Sequence, residues 1–333
     1  MPKYWLISDR NNGATGSGIN NGGLTYWVSD GGPLSDIGSW QKISATAFRN
    51  QLATAADQFP ALTPAQNEQQ SHVTLLIHGY NENFADAAAM YQSFCTRLFD
   101  GPTSMGLCVL YDWPSLGSVL GYLPDRATAR KCAEHLTGVL SDLFDWLIDK
   151  QQLTVCDPAK ACKAKVSVIA HSMGNYVLQK ALAAAWTRKN QPLLVSLINQ
   201  LVMVAADVDN DLFDANAPDN NDGDAMSNLT YRITSLFSGR DAVLGASAGL
   251  KHFGTRRLGR SGLAHRPPLV DKPPQTDNVW DIDCSGFFAP DVGAEAIHSA
   301  YFSTDTIIDL MRKILCGVDR GVLANPAATL GNR

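Results

Sequence analysis

The chain has 333 residues, 45% hydrophobic and 18% charged, with a net charge of −5. That supplies enough apolar material for a large buried core, and the absence of a basic run excludes an electrostatic nucleic-acid binder. No apolar run approaches the length of a membrane span, and the opening MPKYWLISDR has no apolar signal core, so a cytoplasmic location is expected.

Tyr4–Ile7 and Leu24–Val28 read as strands, joined by a loop rich in Gly and Asn. The stretch 35–64 is mixed, with Phe48, Leu52 and Ala56 spaced for a short helix. Val73–Ile77 is an uninterrupted apolar run, as a strand buried on both faces requires, and it ends in His78-Gly79-Tyr80-Asn81. A glycine in such a loop lets backbone N–H groups approach a site that side chains would block; His78 itself reads as a structural histidine. Phe84, Ala88, Tyr91, Cys95 and Leu98 then recur at helical spacing. Leu107–Tyr111 is the next strand, and Pro114 stops it within Asp112-Trp113-Pro114-Ser115. A long amphipathic helix is predicted over 126–148, followed by a polar loop over 157–163.

Residues 165–185 read KVSVIAHSMGNYVLQKALAAA. Val166, Val168 and Ile169 predict a buried strand; Tyr176, Val177, Lys180, Ala181 and Ala184 predict a helix. Ser172 lies on the sharp turn between them. The small flanking residues Ala170 and Gly174 suit a strained turn that a strand and a helix must pass closely. A serine raised on such a strand–turn–helix is the arrangement of a nucleophile elbow.

Ile198–Ala205 and Leu229–Phe237 are further strands, ending in Asp207 and in Ser238-Gly239-Arg240-Asp241 respectively. The acidic stretch 208–228 and the Gly-, Arg- and Pro-rich stretch 245–285 read as loop or cap insertions. A last strand is expected within 279–288 and a closing helix over Thr304–Leu315; the tail 317–333 reads as loosely packed. Strands alternating with helices predict one α/β domain over 1–333, with a mostly parallel sheet covered on both faces. The seven cysteines are odd in number and scattered, which is not a disulfide framework, although Cys156 and Cys162 flank a short loop that a bridge could close. No C-x-x-C or H-E-x-x-H spacing supports a metal site, and no cofactor is expected.

A serine nucleophile needs a base, and the base needs an acid that holds its tautomer. After Ser172 the chain offers His252, His265 and His298. The first two lie among basic residues in the irregular stretch, a poor setting for a base. His298 falls between the last strand and the last helix. Asp241 and Asp207 each follow a strand and either could be the acid. Asp241 is favoured, because Ser238-Gly239 turns the chain at the carboxyl edge of a deep strand within reach of the His298 loop, and because Asp209 and Asp211 crowd Asp207 with like charge.

The segments His78–Asn81, Trp113–Ser115, Tyr122–Asp125, Ala170–Asn175, Ala206–Asp209, Ser238–Asp241 and His298 together resemble a bacterial group of α/β hydrolases of unknown function, itself similar to esterases and lipases. The resemblance spans residues 73–315. It implies the α/β-hydrolase fold and a Ser172–Asp241–His298 triad. It further implies an oxyanion hole from the N–H groups of Tyr80 and Met173, and a substrate pocket lined by Trp113 and Tyr122. The expected activity is hydrolysis of small carboxylic esters with short to medium acyl chains through an acyl-enzyme. Lipase, phospholipase, thioesterase or acyltransferase chemistry on the same residues, or a non-catalytic binding protein on this fold, stays open, as does the oligomeric state.

Overall fold

The apolar runs of the sequence become strands whose alternate residues serve two cores. In the computed structural model, which describes residues 1–61, 69–115, 122–157, 162–188, 196–252, 254–265 and 278–323, these strands are β1 (Tyr4–Ser8), β2 (Thr25–Ser29), β3 (Gln41–Ile43), β4 (His72–Ile77), β5 (Gly106–Asp112), β6 (Lys165–His171), β7 (Ile198–Val204), β8 (Thr230–Phe237) and β9 (Val279–Asp283). Among the described residues they form one nine-stranded sheet in the order β3-β2-β1-β5-β4-β6-β7-β8-β9. Every pairing from β1 to β9 is parallel, and only β1–β2 and β2–β3, at one edge, are antiparallel.

Trp5, Ile7, Val109, Tyr111, Val168 and Ala170 point to one face, and Leu6, Cys108, Leu110, Ile169, Val202 and Val204 to the other. This is the period-2 alternation of a pleated sheet. Helices α1 (Ala45–Asp57), α3 (Tyr122–Cys156), α4 (Gly174–Arg188) and α5 (Asn220–Leu229) carry residues of the first core; α2 (Phe84–Leu98) carries the second, with the helices that close the chain. Those are the short α6 (Ala242–Ala246) and α8 (Ile297–Ala300), then α9 (Asp305–Leu315) and the short α10 (Arg320–Leu323), whereas the short α7 (Leu258–Ser261) gives Leu258 to the first core. The side chains of Ser44 and Asn83 cap α1 and α2 by accepting from Ala47 N–H and Asp86 N–H, so both helices start where their sequences place a capping residue.

Five features differ from the sequence expectation. Helix α1 is longer than its apolar spacing suggested, and α3 runs from Tyr122 to Cys156 rather than over 126–148. The stretch 208–228 is not wholly loop: its end forms α5, which buries Gly223, Ala225, Met226 and Leu229, and whose polar composition hid its helical period. The stretch 245–285 contains a single π-helical turn over Ser247–Lys251 and α7, and its last strand stops at Asp283. Cys156 and Cys162 are both free thiols, so the bridge allowed by their spacing is not formed. Of the tail 317–333, residues 324–333 lie outside the described residues, as does much of the polar loop 157–163.

The chain leaves β4 for β5 on one side and returns to β6 on the other. This reversal opens a crevice at the carboxyl ends of β4 and β6, where the loops after Ile77 and His171 emerge. An apolar recess between α1 and α3, reaching Val73 and Val166, lies at the opposite, amino end of the same strands.

Candidate active site

Ser172 has φ +50, a left-handed backbone that a non-glycine residue holds only under constraint. The constraints are visible. Its N–H donates to Val204 O at 3.0 Å, and its carbonyl accepts from Asp207 N–H at 3.1 Å and Asn175 N–H at 3.1 Å. The buried Asn175 side chain also donates to Ala170 O at 2.8 Å, tying the end of β6 to the start of α4. A Cβ on Gly174 would come within 2.4 Å of His78 O, and one on Gly79 within 3.0 Å of Ser172 Cβ. The two glycines therefore let α4 and the loop after β4 close on the serine from both sides.

Ser172 Oγ is 2.9 Å from His298 Nε2, and His298 Nδ1 is 2.7 Å from Asp241 Oδ2. Asp241 is fully buried and is also the N-cap of α6, its Oδ1 accepting from Leu244 N–H at 2.9 Å. One carboxylate oxygen is thus fixed by a helix start and the other faces the imidazole. Arg260 donates to the Asp241 carbonyl. The neighbouring Arg240 reaches Phe288 O at 3.2 Å and Val292 O at 3.1 Å, holding the segment that leads to His298. His298 is otherwise anchored through its carbonyl, which lies 2.8 Å from His171 Nε2.

Asp207, the alternative acid, does not meet His298. Its Oδ1 accepts from Arg257 Nε at 2.8 Å and Ser247 Oγ at 2.9 Å, and Arg257 also engages Asp209. One buried arginine bridges Asp207 and Asp209, so a cation lies between two of the carboxylates that seemed to crowd each other. His252 lies within electrostatic reach of the same cluster, and burial, with Arg257, pushes its imidazole down to about 4. His265 is exposed and pairs with Asp214 at 2.6 Å. Among the three histidines after Ser172, the structure brings His298 alone to the serine.

The loop 78–81 is held from below. Trp113 N–H donates to His78 Nε2 at 3.1 Å, Trp113 Nε1–H donates to His78 O at 2.9 Å, and the two rings stack at 5.5 Å. Trp113 is fully buried. It lies under the loop, where its ring N–H finds the His78 carbonyl. Ser115 Oγ accepts from Asn81 N–H at 2.7 Å and Glu82 N–H at 3.3 Å and donates to Asp125 at 3.1 Å. Tyr80, half-buried, sits between these anchors. Met173 immediately precedes α4, where N–H groups have no intrahelical acceptor. Tyr122 opens α3, but its side chain lies outside the described residues.

Three groups near the site gave no sequence signal of their own. Arg10 is buried; its Nε donates to Asp112 at 2.7 Å and its Nη2 to Glu82 O at 2.8 Å, joining β1 to the loop after β4. Glu82 places a carboxylate oxygen 3.6 Å from His171 Nδ1. Burial pushes its carboxyl up, but His171 and His78 outweigh burial and hold it below its ordinary value. His171 therefore links Glu82 to the His298 backbone. Its place beside Ser172 was legible; its partners, more than 80 residues away in the chain, were not. Among the described residues no cluster of His, Cys, Asp and Glu has the form of a metal site, and no helix is long and apolar enough to cross a membrane.

Residues 55–273, well over half of the chain, match a family model described as alpha/beta hydrolase of unknown function (DUF900). The match contains Ser172 and Asp241 and ends before His298. Among solved structures the chain is similar to a thioesterase, RedJ, from the prodiginine biosynthetic pathway of Streptomyces coelicolor, at 13% identity and a TM-score of 0.30, covering 77% of this chain and 96% of that one. It is also similar to an acylaminoacyl peptidase of Pyrococcus horikoshii, at 11% identity and a TM-score of 0.29, covering 90% of this chain and 47% of that one. No curated protein matches the chain.

Proposed function

The chain belongs to this alpha/beta hydrolase family of unknown function, and from that premise we propose that it is a serine hydrolase cleaving carboxylic esters through an acyl-enzyme. The observation that carries the reading is the continuous line from Asp241 Oδ2 to His298 Nδ1, at 2.7 Å, and from His298 Nε2 to Ser172 Oγ, at 2.9 Å. Those distances suit proton transfer to and from the serine oxygen.

In the proposed cycle Ser172 Oγ attacks the ester carbonyl while His298 Nε2 takes its proton. Asp241 accepts from Nδ1–H, holding the tautomer and stabilising the imidazolium. The carbonyl oxygen becomes an oxyanion held by the N–H groups of Met173, at the positive end of α4, and of Tyr80. His298 then protonates the leaving alkoxide, and the acyl group stays on Ser172. A water that gives a proton to His298 attacks this acyl ester. The second tetrahedral intermediate expels Ser172, which recovers the proton. Short to medium acyl chains are the preferred substrates: the apolar residues of α5 are turned into the core, so the helix of the 208–228 insertion offers a polar outer face rather than an apolar lid.

The test is hydrolysis of a butyrate ester by wild type and Ser172→Ala. The reading requires a loss of roughly 10⁴-fold or more in kcat with the circular dichroism spectrum unchanged. Retention of a few per cent of activity would place the nucleophile elsewhere.

A further inference from the structure

Resting on that reading, we infer that the enzyme selects esters carrying a second, anionic group, and that the Arg126 guanidinium is the group that receives it. Arg126 is the fifth residue of α3, with its Cζ 3.7 Å from the centre of the Tyr176 ring. Tyr176 lies in the first turn of α4, which starts two residues after Ser172, so the guanidinium packs on the helix that leaves the nucleophile's turn. The preceding residue supports the same placement. Asp125 is bonded to Ser115 Oγ at 3.1 Å, and Ser115 Oγ holds Asn81 N–H at 2.7 Å, in the loop whose Gly79 packs on Ser172. His252, near the Asp207–Arg257 pair, also feels the charge of Arg126, less than that of Arg257.

The cations around Tyr176 differ in how they are satisfied. Lys180 Nζ pairs with Asp222 at 2.6 Å and reaches Asp219 at 3.6 Å. Arg130 Nε donates to Tyr176 Oη at 2.6 Å. Among the described residues no carboxylate lies within ion-pair distance of Arg126, and its Nη1, which is out of solvent, has no hydrogen-bond partner. A buried donor without an acceptor is costly, and a guanidinium held over an aromatic ring has less freedom to turn its fork away. A carboxylate or phosphate oxygen pair matches that fork. The pairing would be made by the substrate, which couples its binding to satisfaction of a group the fold leaves open.

The anion can sit on either side of the scissile bond, and two pairs of esters separate the cases. Monoethyl succinate and ethyl butyrate differ by a terminal carboxylate on the acyl side. The butyrate ester of 3-hydroxypropanoate and propyl butyrate differ by one on the alcohol side. Wild type is expected to favour the anionic member of at least one pair by about tenfold or more in kcat/KM, chiefly through KM, with the preference shrinking as salt is raised. Arg126→Gln is expected to erase that ratio, and Arg126→Lys, which keeps the charge without the fork, to retain part of it. Equal or better use of the neutral member in both pairs, or a preference that survives Arg126→Gln, would overturn the inference while ester hydrolysis itself stands. Failure to hydrolyse any of the four, with no labelling of Ser172 by a fluorophosphonate, would overturn the hydrolase reading and this inference with it.

Discussion

Arg257 Nε donates to Asp207 Oδ1 at 2.8 Å with both side chains out of solvent. This buried pair separates the two aspartates that follow neighbouring strands. Asp207 is committed to an arginine and to the elbow backbone, and Asp241 to an imidazole and a helix cap.

The two aspartates should therefore fail in different ways. Asp241→Asn is expected to lower kcat by roughly 10⁴-fold, because an amide favours the wrong histidine tautomer. Asp207→Asn leaves Arg257 buried with half of its charge compensation. It should cost about 3 kcal/mol of stability, near the lower end for breaking a buried pair, while kcat of the folded fraction stays near wild type. Steady-state kinetics beside urea denaturation separates the two. Loss of kcat in Asp207→Asn without loss of stability would reverse the assignment.

Gly79 offers a steric probe of the loop. A Cβ there would lie 2.7 Å from His171 Nδ1 and 3.0 Å from Ser172 Cβ, closer than real Cβ contacts run. Gly79→Ala should push the loop off the serine and lower kcat by about 10²-fold, the scale of a misplacement of about 1 Å. The enzyme should still be labelled slowly at Ser172. Wild-type kcat in this variant would mean that the loop plays no part in the chemistry.

Much of this arrangement could be read from the chain before the structure. The strands are long apolar runs, and their alternation is strong because both faces are buried. Ser172 and His298 were legible because a strained turn and a histidine at a strand–helix junction leave local marks. Asp241 could be preferred from its place after a deep strand and from charge crowding around Asp207, and the structure adds a further physical reason, the pairing of Asp207 with Arg257. Arg10, Glu82 and the true place of Trp113 were not legible, since each is defined by partners on other strands. Helix α5 escaped notice because an acidic, Asn-rich stretch hides a helical period that its buried side reveals.

His72 supplies a pH dependence. It is fully buried, its Nδ1 is 2.6 Å from Ser167 Oγ, and burial, with Lys165 nearby, pushes its imidazole down to about 4. Its folded value lies below the unfolded one, so between about 6.5 and 4 the unfolded chain binds the extra proton. Stability should be full above that window and fall through it, by at most about 3 kcal/mol from this group. Urea unfolding of wild type and His72→Gln from pH 7.5 to 4 measures it. The variant should show the shallower slope, and identical slopes would remove His72 as the source.

The central claim is that Ser172 forms a covalent bond with the substrate's acyl carbon. It is tested most directly by treating the folded protein with a fluorophosphonate and mapping the adduct by peptide mass spectrometry. A single adduct on Ser172 in the tryptic peptide Val166–Lys180, absent from Ser172→Ala and reduced in His298→Ala, is the predicted result. An unmodified Val166–Lys180 peptide, or an adduct on another residue that persists in Ser172→Ala, would contradict the account.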